Sequence, residues 1–400
     1  MNSSMKKLLH LHLLFWVKFG FCQDINQANA LFTCTDGTVI SNEKRCNGKY
    51  ECEGREDEKN CDFQKCEKVE AGEAHHSMVE AKKLSGRIVG GEDSPDGAWP
   101  WQAIIARYSS NKRGGTPIMF SKWYIKGGGS LIGSKWVMTA AHLFGTDDNS
   151  QVWLSDYAVT LGMSERPNTS MGVADFVQMF ALQDVYIHPN YSYGVLDNDI
   201  ALIKLGARIN SESLAINESD ANGVTFTYHV RPVCLPCRDE DPNGESKDES
   251  CQPDINESEL LAAGEKVIVT GFGNIKGTDL TQRRQQFQIP DRLQYAELKL
   301  VDQYTCWLGI QNINKLTHGN IRYSDNFICC NPAKVKKSID ACQGDSGGPL
   351  VKKVTNSETS QSRWFQVGIV SFGYGCALNY PGYYINVVKY TGWINTIMDS

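Results

Sequence analysis

Trp136-Val137-Met138-Thr139-Ala140-Ala141-His142 is a short apolar run that ends in two alanines and a histidine. Large and β-branched side chains suit a buried strand, and the alanines leave room around an imidazole. Comparable runs recur at Val267-Ile268-Val269-Thr270 and Val367-Gly368-Ile369-Val370-Ser371, with clusters of Gly, Pro, Asn and Asp between them. Many short strands punctuated by turn residues predict an all-β domain from Ile88 onward, either a barrel or a sandwich. Val387 to Met398 carries apolar residues at helical spacing and predicts a C-terminal helix. Residues 107–126, 206–229, 237–260 and 274–292 read as long loops, which tend to carry function.

Gly344-Asp345-Ser346-Gly347-Gly348-Pro349 is the strongest chemical signal. A serine hydroxyl becomes a nucleophile only when a base takes its proton. Glycines on both sides let the backbone come close to a substrate carbonyl and adopt the angles this needs. The amides of Gly344 and Ser346 can point at a developing oxyanion. A glycine-rich turn without chemistry would account for the segment alone, but not for its company. His142, after its buried strand, is the candidate base, and the Thr-Ala-Ala-His context selects it over the other histidines. Asp197-Asn198-Asp199-Ile200-Ala201-Leu202 supplies a carboxylate beside an apolar strand. The Asp-Ile-Ala-Leu context favours Asp199, with Asp197 as the alternative.

In that order, Thr139-Ala140-Ala141-His142, Asp199-Ile200-Ala201-Leu202 and Gly344 to Pro349 resemble the chymotrypsin/trypsin family of serine proteases, over Ile88 to about Ser400. The resemblance implies two six-stranded antiparallel β-barrels with a catalytic triad of His142, Asp199 and Ser346 in the cleft between them, and an oxyanion hole at Gly344 and Ser346. No cofactor is expected for the chemistry. Arg87-Ile88-Val89-Gly90-Gly91 resembles the family's activation site, so that a cut after Arg87 would free the Ile88 ammonium to pair with Asp345; the alternative is an exposed linker bond. Asp340, six residues before Ser346, falls at the pocket floor, and Ser371, Gly373 and Gly382 fall on its walls. This pattern implies cleavage after Arg or Lys, unless Asp340 is a solvated loop acid. Pro381 stands where sodium-regulated relatives carry an aromatic residue, while Phe372 and Phe272 replace usual tryptophans.

Family alignment also implies disulfides Cys306–Cys329 and Cys342–Cys376, a propeptide tether Cys66–Cys234, and a loop closure Cys237–Cys251. Two common bridges are absent as pairs: one appears as Gly127 and Leu143, the other as Val267 and Lys352. Each absent bridge forgoes roughly 2–4 kcal/mol. Cys330 is left over, either as a free thiol or as a rival of Cys329 for Cys306.

Residues 32–62 are acidic and rich in cysteine. Phe32-Thr33-Cys34, Cys46-Asn47-Gly48, Glu51-Cys52 and Asp57-Glu58-Lys59-Asn60-Cys61 resemble the second half of an LDL-receptor class A module. That resemblance implies bridges Cys34–Cys52 and Cys46–Cys61, and places Asn47, Glu51, Asp57 and Glu58 at calcium-ligand positions. Asn47 and Glu51 stand where aspartates are usual, so the alternative is a disulfide knot used only for protein contacts.

The remaining organisation fits a secretory protein. Lys6 and Lys7 precede an apolar stretch to Phe21, with small residues Gly20 and Cys22 before Gln23, the layout of a signal peptide over residues 1–22. A short membrane anchor is the alternative, and no other run is apolar enough to span. Residues 63–87 read as linker and propeptide, and 88–400 as the protease domain. Fourteen cysteines suit an oxidising compartment, and sequons begin at Asn168, Asn190, Asn217 and Asn256. A net charge of -6 gives no reason to expect nucleic acid as a partner. Expected partners are protein substrates, other zymogens among them, and serine protease inhibitors. The whole reads as a secreted zymogen of a regulated cascade, such as innate immunity or clotting; the alternative is a non-catalytic binding protein on a protease scaffold.

Overall fold

The computed structural model describes residues 31–41, 51–54, 57, 91–108, 123–145, 154–166, 176–192, 196–210, 216–217, 223–236, 257–276, 288–319, 321–332, 340–355, 362–376, 378 and 380–400. The chain divides into two compact units, Met1–Asp62 and Phe63–Ser400.

In the first unit, β1 (Leu31–Thr33) and β2 (Val39–Ser41) form a small antiparallel hairpin. Asp36 closes its turn by accepting from Thr38 N at 2.7 Å and reaches across to Glu53 N at 3.0 Å. These two amides hold its carboxyl below the usual carboxylate range. The Cys34–Cys52 disulfide, Ile40 and part-buried Phe32 make up the small core. So little apolar material cannot offset chain entropy alone, and the covalent tie supplies what the core lacks.

The second unit is built from two closed barrels. After β3 (Glu92–Asp93), the first barrel takes β4 (Gln102–Tyr108), β5 (Trp123–Gly133), β6 (Trp136–Thr139), β7 (Tyr157–Leu161), β8 (Gln178–Ile187) and β9 (Ala201–Ile209). Its strands run in the order β9-β6-β5-β4-β7-β8, and β8 pairs back onto β9 to close the ring, with β10 (Ile216–Asn217) added outside β9. The second barrel takes β11 (Lys266–Gly271), β12 (Gln294–Leu300), β13 (Phe327–Pro332), β14 (Pro349–Thr355), β15 (Ser362–Phe372) and β16 (Gly382–Asn386). Here the order is β11-β14-β15-β16-β13-β12, closed by β12 on β11. All pairings are antiparallel, and β3 joins the second barrel through Gln294↔Asp93 although it precedes the first in sequence. Closure leaves no long strand edge exposed, and this decides for barrels over a sandwich.

The strands run into stretches that read as loops: β4 reaches Tyr108, β5 begins at Trp123, and β9 ends at Ile209. The C-terminal helix is Thr391–Met398, preceded by a 3-10 turn over Val387–Tyr390. A helix over Gln303–Thr317 was not expected from the sequence. Its signals are nonetheless there. Asp302 caps it by accepting from Thr305 N, and Cys306, Ile310 and Ile313 fall on one buried stripe. Phe327–Pro332 follows closely, and the Cys306–Cys329 disulfide ties helix to strand.

Among the buried side-chain hydrogen bonds that join the barrels, two engage glutamines. Thr270 Oγ1 donates to Gln102 Oε1 at 2.6 Å, and Ser130 Oγ donates to Gln366 Oε1 at 2.5 Å. Trp99, Trp101 and Trp364 pack edge-on beside this seam, with ring centroids 5.2 Å apart for Trp99–Trp364 and 6.0 Å for Trp99–Trp101. Removing the Thr270 hydroxyl while keeping its shape leaves Gln102 Oε1 buried without its donor. Thr270→Val is therefore expected to cost about 1–3 kcal/mol, read as a lower denaturant midpoint.

Candidate active site

Each of the three motifs ends a strand or a turn facing the seam. β6 leads through Ala140 into a 3-10 turn, Ala141–Leu143, that carries His142, and both Ala140 and Ala141 are wholly buried. Asp199 lies two residues before β9, which pairs with β6 through Thr139↔Ala201, so the two segments start side by side. The turn that aims Asp199 inward needs left-handed backbone at Leu196 (φ 59) and Asn198 (φ 55). Asparagine tolerates that region, and Asn198 is held there by Nδ2 donating to Asn190 O at 3.0 Å and Oδ1 accepting from Tyr390 Oη at 3.0 Å.

The Asp199 carboxylate is fully buried and accepts three hydrogen bonds. His142 N donates to Oδ1 at 2.8 Å, His142 Nδ1 stands 2.7 Å from Oδ2, and Ser371 Oγ donates to Oδ2 at 2.6 Å. An ionised carboxylate only accepts, so Nδ1 carries the ring proton and Nε2 keeps its lone pair. Ser371 reaches Asp199 because β15 shifts register between Val370 and Phe372, which turns this side chain out of the ladder. Its hydroxyl as a brace for Asp199 was not expected from the sequence, where Ser371 read as a pocket residue. Asp197 is engaged elsewhere, accepting from Asn326 Nδ2 at 2.9 Å.

Ser346 comes from the second barrel, in the turn before β14, and its backbone is fastened to the first. Ser346 O accepts from Gly128 N at 2.8 Å, while Gly347 N donates to Val370 O at 2.8 Å. Gly347 has φ 81 and presses on the strand that carries His142: a methyl there would sit 2.6 Å from Gly128 O and 3.0 Å from Ala140 N. A side chain at this point would force the serine turn off the histidine strand. Gly344, with φ 102, lies against Gly273, where an added methyl would stand 3.0 Å from Gly273 Cα. Neither Gly344 N nor Ser346 N donates to a partner among the described residues, as suits amides kept for an oxyanion.

Asp345 is buried beneath this turn. It accepts from Gly273 N at 2.8 Å and Cys342 N at 2.9 Å, and no cation approaches it among the described residues. Desolvation outweighs those two bonds and pushes its carboxyl up to about 6. Asp340 is also buried, between the two expected wall glycines: methyls on Gly382 and Gly373 would lie 3.1 Å and 4.0 Å from its carboxylate oxygens. The Cys342–Cys376 disulfide closes the same region.

The remaining positions are less complete. Arg87, Ile88, Asn47, Glu58, Cys46, Cys61, Cys66, Cys237 and Cys251 lie outside the described residues. Cys234 is disulfide-bonded. In the first unit Asp57 is buried and its Oδ2 accepts from Glu51 N at 2.7 Å. Among the described residues no three His, Cys, Asp or Glu side chains cluster as a metal site. Cys330 is free and buried, packed with Val267, Leu298 and Tyr384, while Cys329 packs in a separate cluster with Cys306. Successive strand residues face opposite sides, so Cys330 is no rival of Cys329 for Cys306.

A family model described as Trypsin matches residues 88–394. The chain belongs to the trypsin family. A second model, low-density lipoprotein receptor domain class A, matches residues 28–61. Transmembrane protease serine 11C of Mus musculus is 30% identical over 311 residues, which is 78% of this chain and 53% of that protein. The trypsin-family chain thus spans about half the length of the curated relative it matches. Among the described residues no helix is long and apolar enough to cross a membrane.

The buried acid next to Ser346 has a measurable consequence for the uncut chain. A carboxyl raised from 3.8 to about 6 favours the folded state while protonated, and that contribution is lost as pH rises through about 6. It amounts to roughly 3 kcal/mol at most. Chemical unfolding of the single chain is expected to show stability falling between pH 4 and 6.5, with a flatter profile in Asp345→Asn.

Proposed function

We propose that the protein is a serine endopeptidase made as a zymogen, with His142, Asp199 and Ser346 as its triad. The observation that carries this reading is the Asp199 carboxylate, bonded to His142 Nδ1 at 2.7 Å, together with the bond that fastens Ser346 O to Gly128 N of β5, the strand paired with the one that leads to His142. Ser346 Oγ attacks the scissile carbonyl carbon and His142 Nε2 takes its proton. The oxyanion is held by the amides of Gly344 and Ser346. Collapse expels the amine, which receives the proton from His142, and water then releases the acyl group by the same route. Asp199 keeps the imidazole in the right tautomer and stabilises its charged form.

Asp340 between Gly373 and Gly382 supports cleavage after Arg or Lys, since a guanidinium or ammonium would meet a buried carboxylate. Asp345 supports activation at Arg87: the Ile88 ammonium, once freed, would pair with a buried acid that otherwise stays partly protonated. Protein substrates, including other zymogens, and serine protease inhibitors are the partners this reading implies. The leader before Gln23, the sequons and the cysteine content support a secreted glycoprotein of an extracellular cascade, with the class A module kept attached by Cys66–Cys234. An unprocessed leader in the secreted or cell-bound protein would instead mark it as an anchor.

The test is direct. Chain cut after Arg87 is expected to be labelled by an organophosphonate and to cleave Arg and Lys peptides over matched Phe and Leu peptides. Ser346→Ala should abolish both. Asp340→Ser should lower kcat/KM on Arg peptides by about 10²–10³-fold, the effect of leaving a buried cation without its partner. Cut protein that takes no label would be a binding protein on this scaffold.

We also propose that the class A module binds calcium. Buried Asp57, with Glu51 beside it, supplies the hard oxygen donors this ion takes, and Asn47 and Glu58 would complete the set. Calcium would fasten a module whose core is a few side chains. Added calcium is expected to raise its unfolding temperature and EDTA to reverse this, with no such shift in Asp57→Ala.

A further inference from the structure

Gly127, in β5, is glycine for lack of space and not for its backbone angles, since its φ is outside the left-handed region. A methyl added there would lie 2.7 Å and 2.9 Å from the two Leu143 Cδ atoms and 2.5 Å from Ser346 O. The Leu143 side chain therefore fills the notch that Gly127 leaves, and does so against the carbonyl of the serine. Leu143 is 3% exposed and follows His142 directly in the 3-10 turn. The neighbouring Gly128 holds the same Ser346 carbonyl through its N–H at 2.8 Å. Gly127 and Leu143 are also the pair at which the family resemblance implies a disulfide that this sequence lacks.

We infer that Leu143 is a positioning residue: an apolar wedge seated on Gly127 that fixes the His142 turn against the Ser346 backbone where no covalent tie exists. The inference rests on the reading of His142 and Ser346 as catalytic. Dispersion and exclusion of water hold the wedge, so its strength depends on how completely the notch is filled. Removing it leaves a void under the imidazole turn, free to relax by a fraction of an ångström. Displacements of about 1 Å at reacting groups can cost 10²-fold in rate, whereas the substrate slot around Asp340 stays untouched.

The experiment uses full-length protein cut after Arg87, with active concentration fixed by an irreversible active-site titrant and turnover read on a small arginine anilide. Leu143→Ala is expected to lower kcat about 10- to 100-fold with KM within about threefold of the parent. Leu143→Met, of similar volume, should recover most of that loss. Leu143→Val, which trims one methylene, serves if the alanine variant does not fold, and should lower kcat about 3- to 10-fold. A folded alanine variant, or failing that a valine variant, with parental kcat overturns the wedge, as does a loss that lies in KM alone. Parent protein that neither titrates nor cleaves sinks the catalytic reading itself, a separate result.

Discussion

The buried carboxylate of Asp199 sets the terms for the rest of the structure. A charge at zero exposure must have its lone pairs occupied, because an unfilled acceptor there costs more than any single contact returns. The donors come from both barrels. The His142 turn of the first gives two and Ser371 of the second gives one. The arrangement of the barrels seen here brings these donors together on Asp199. That same arrangement places the turn carrying Ser346 against β5.

Close approach at this seam is made by removing side chains. Gly127 and Gly128 on β5 meet the serine turn, to which Gly347 and Gly348 belong. Here the two backbones come close enough for Gly128 N to donate to Ser346 O at 2.8 Å. The polar bonds Thr270–Gln102 and Ser130–Gln366 then fix the register of the seam, because an apolar interface alone would tolerate sliding.

Two further acids are buried near the Ser346 turn. Asp345 accepts from two backbone amides but stays desolvated, which raises its carboxyl. Asp340 lies beside Gly373 and Gly382. Both acids lie within residues 88–394, which the Trypsin family model matches.

By itself the sequence determined the all-β character and the terminal helix, and it singled out His142, Asp199, Ser346 and Asp340 as candidates, because those readings rest on short-range patterns, motif order and family resemblance. Barrel against sandwich was open until strand pairing closed each ring, since closure joins residues as distant as Met179 and Ile209. The helix over Gln303–Thr317 was missed although its cap and stripe were legible, because a cysteine and polar residues diluted the apolar period. Only the tertiary structure decided that Ser371 braces Asp199, that Asp197 belongs to Asn326, and that Leu143 fills the notch at Gly127. Those facts depend on which side chains meet across the seam between the barrels, and such meetings are set by packing of the whole chain and not by any local run of residues.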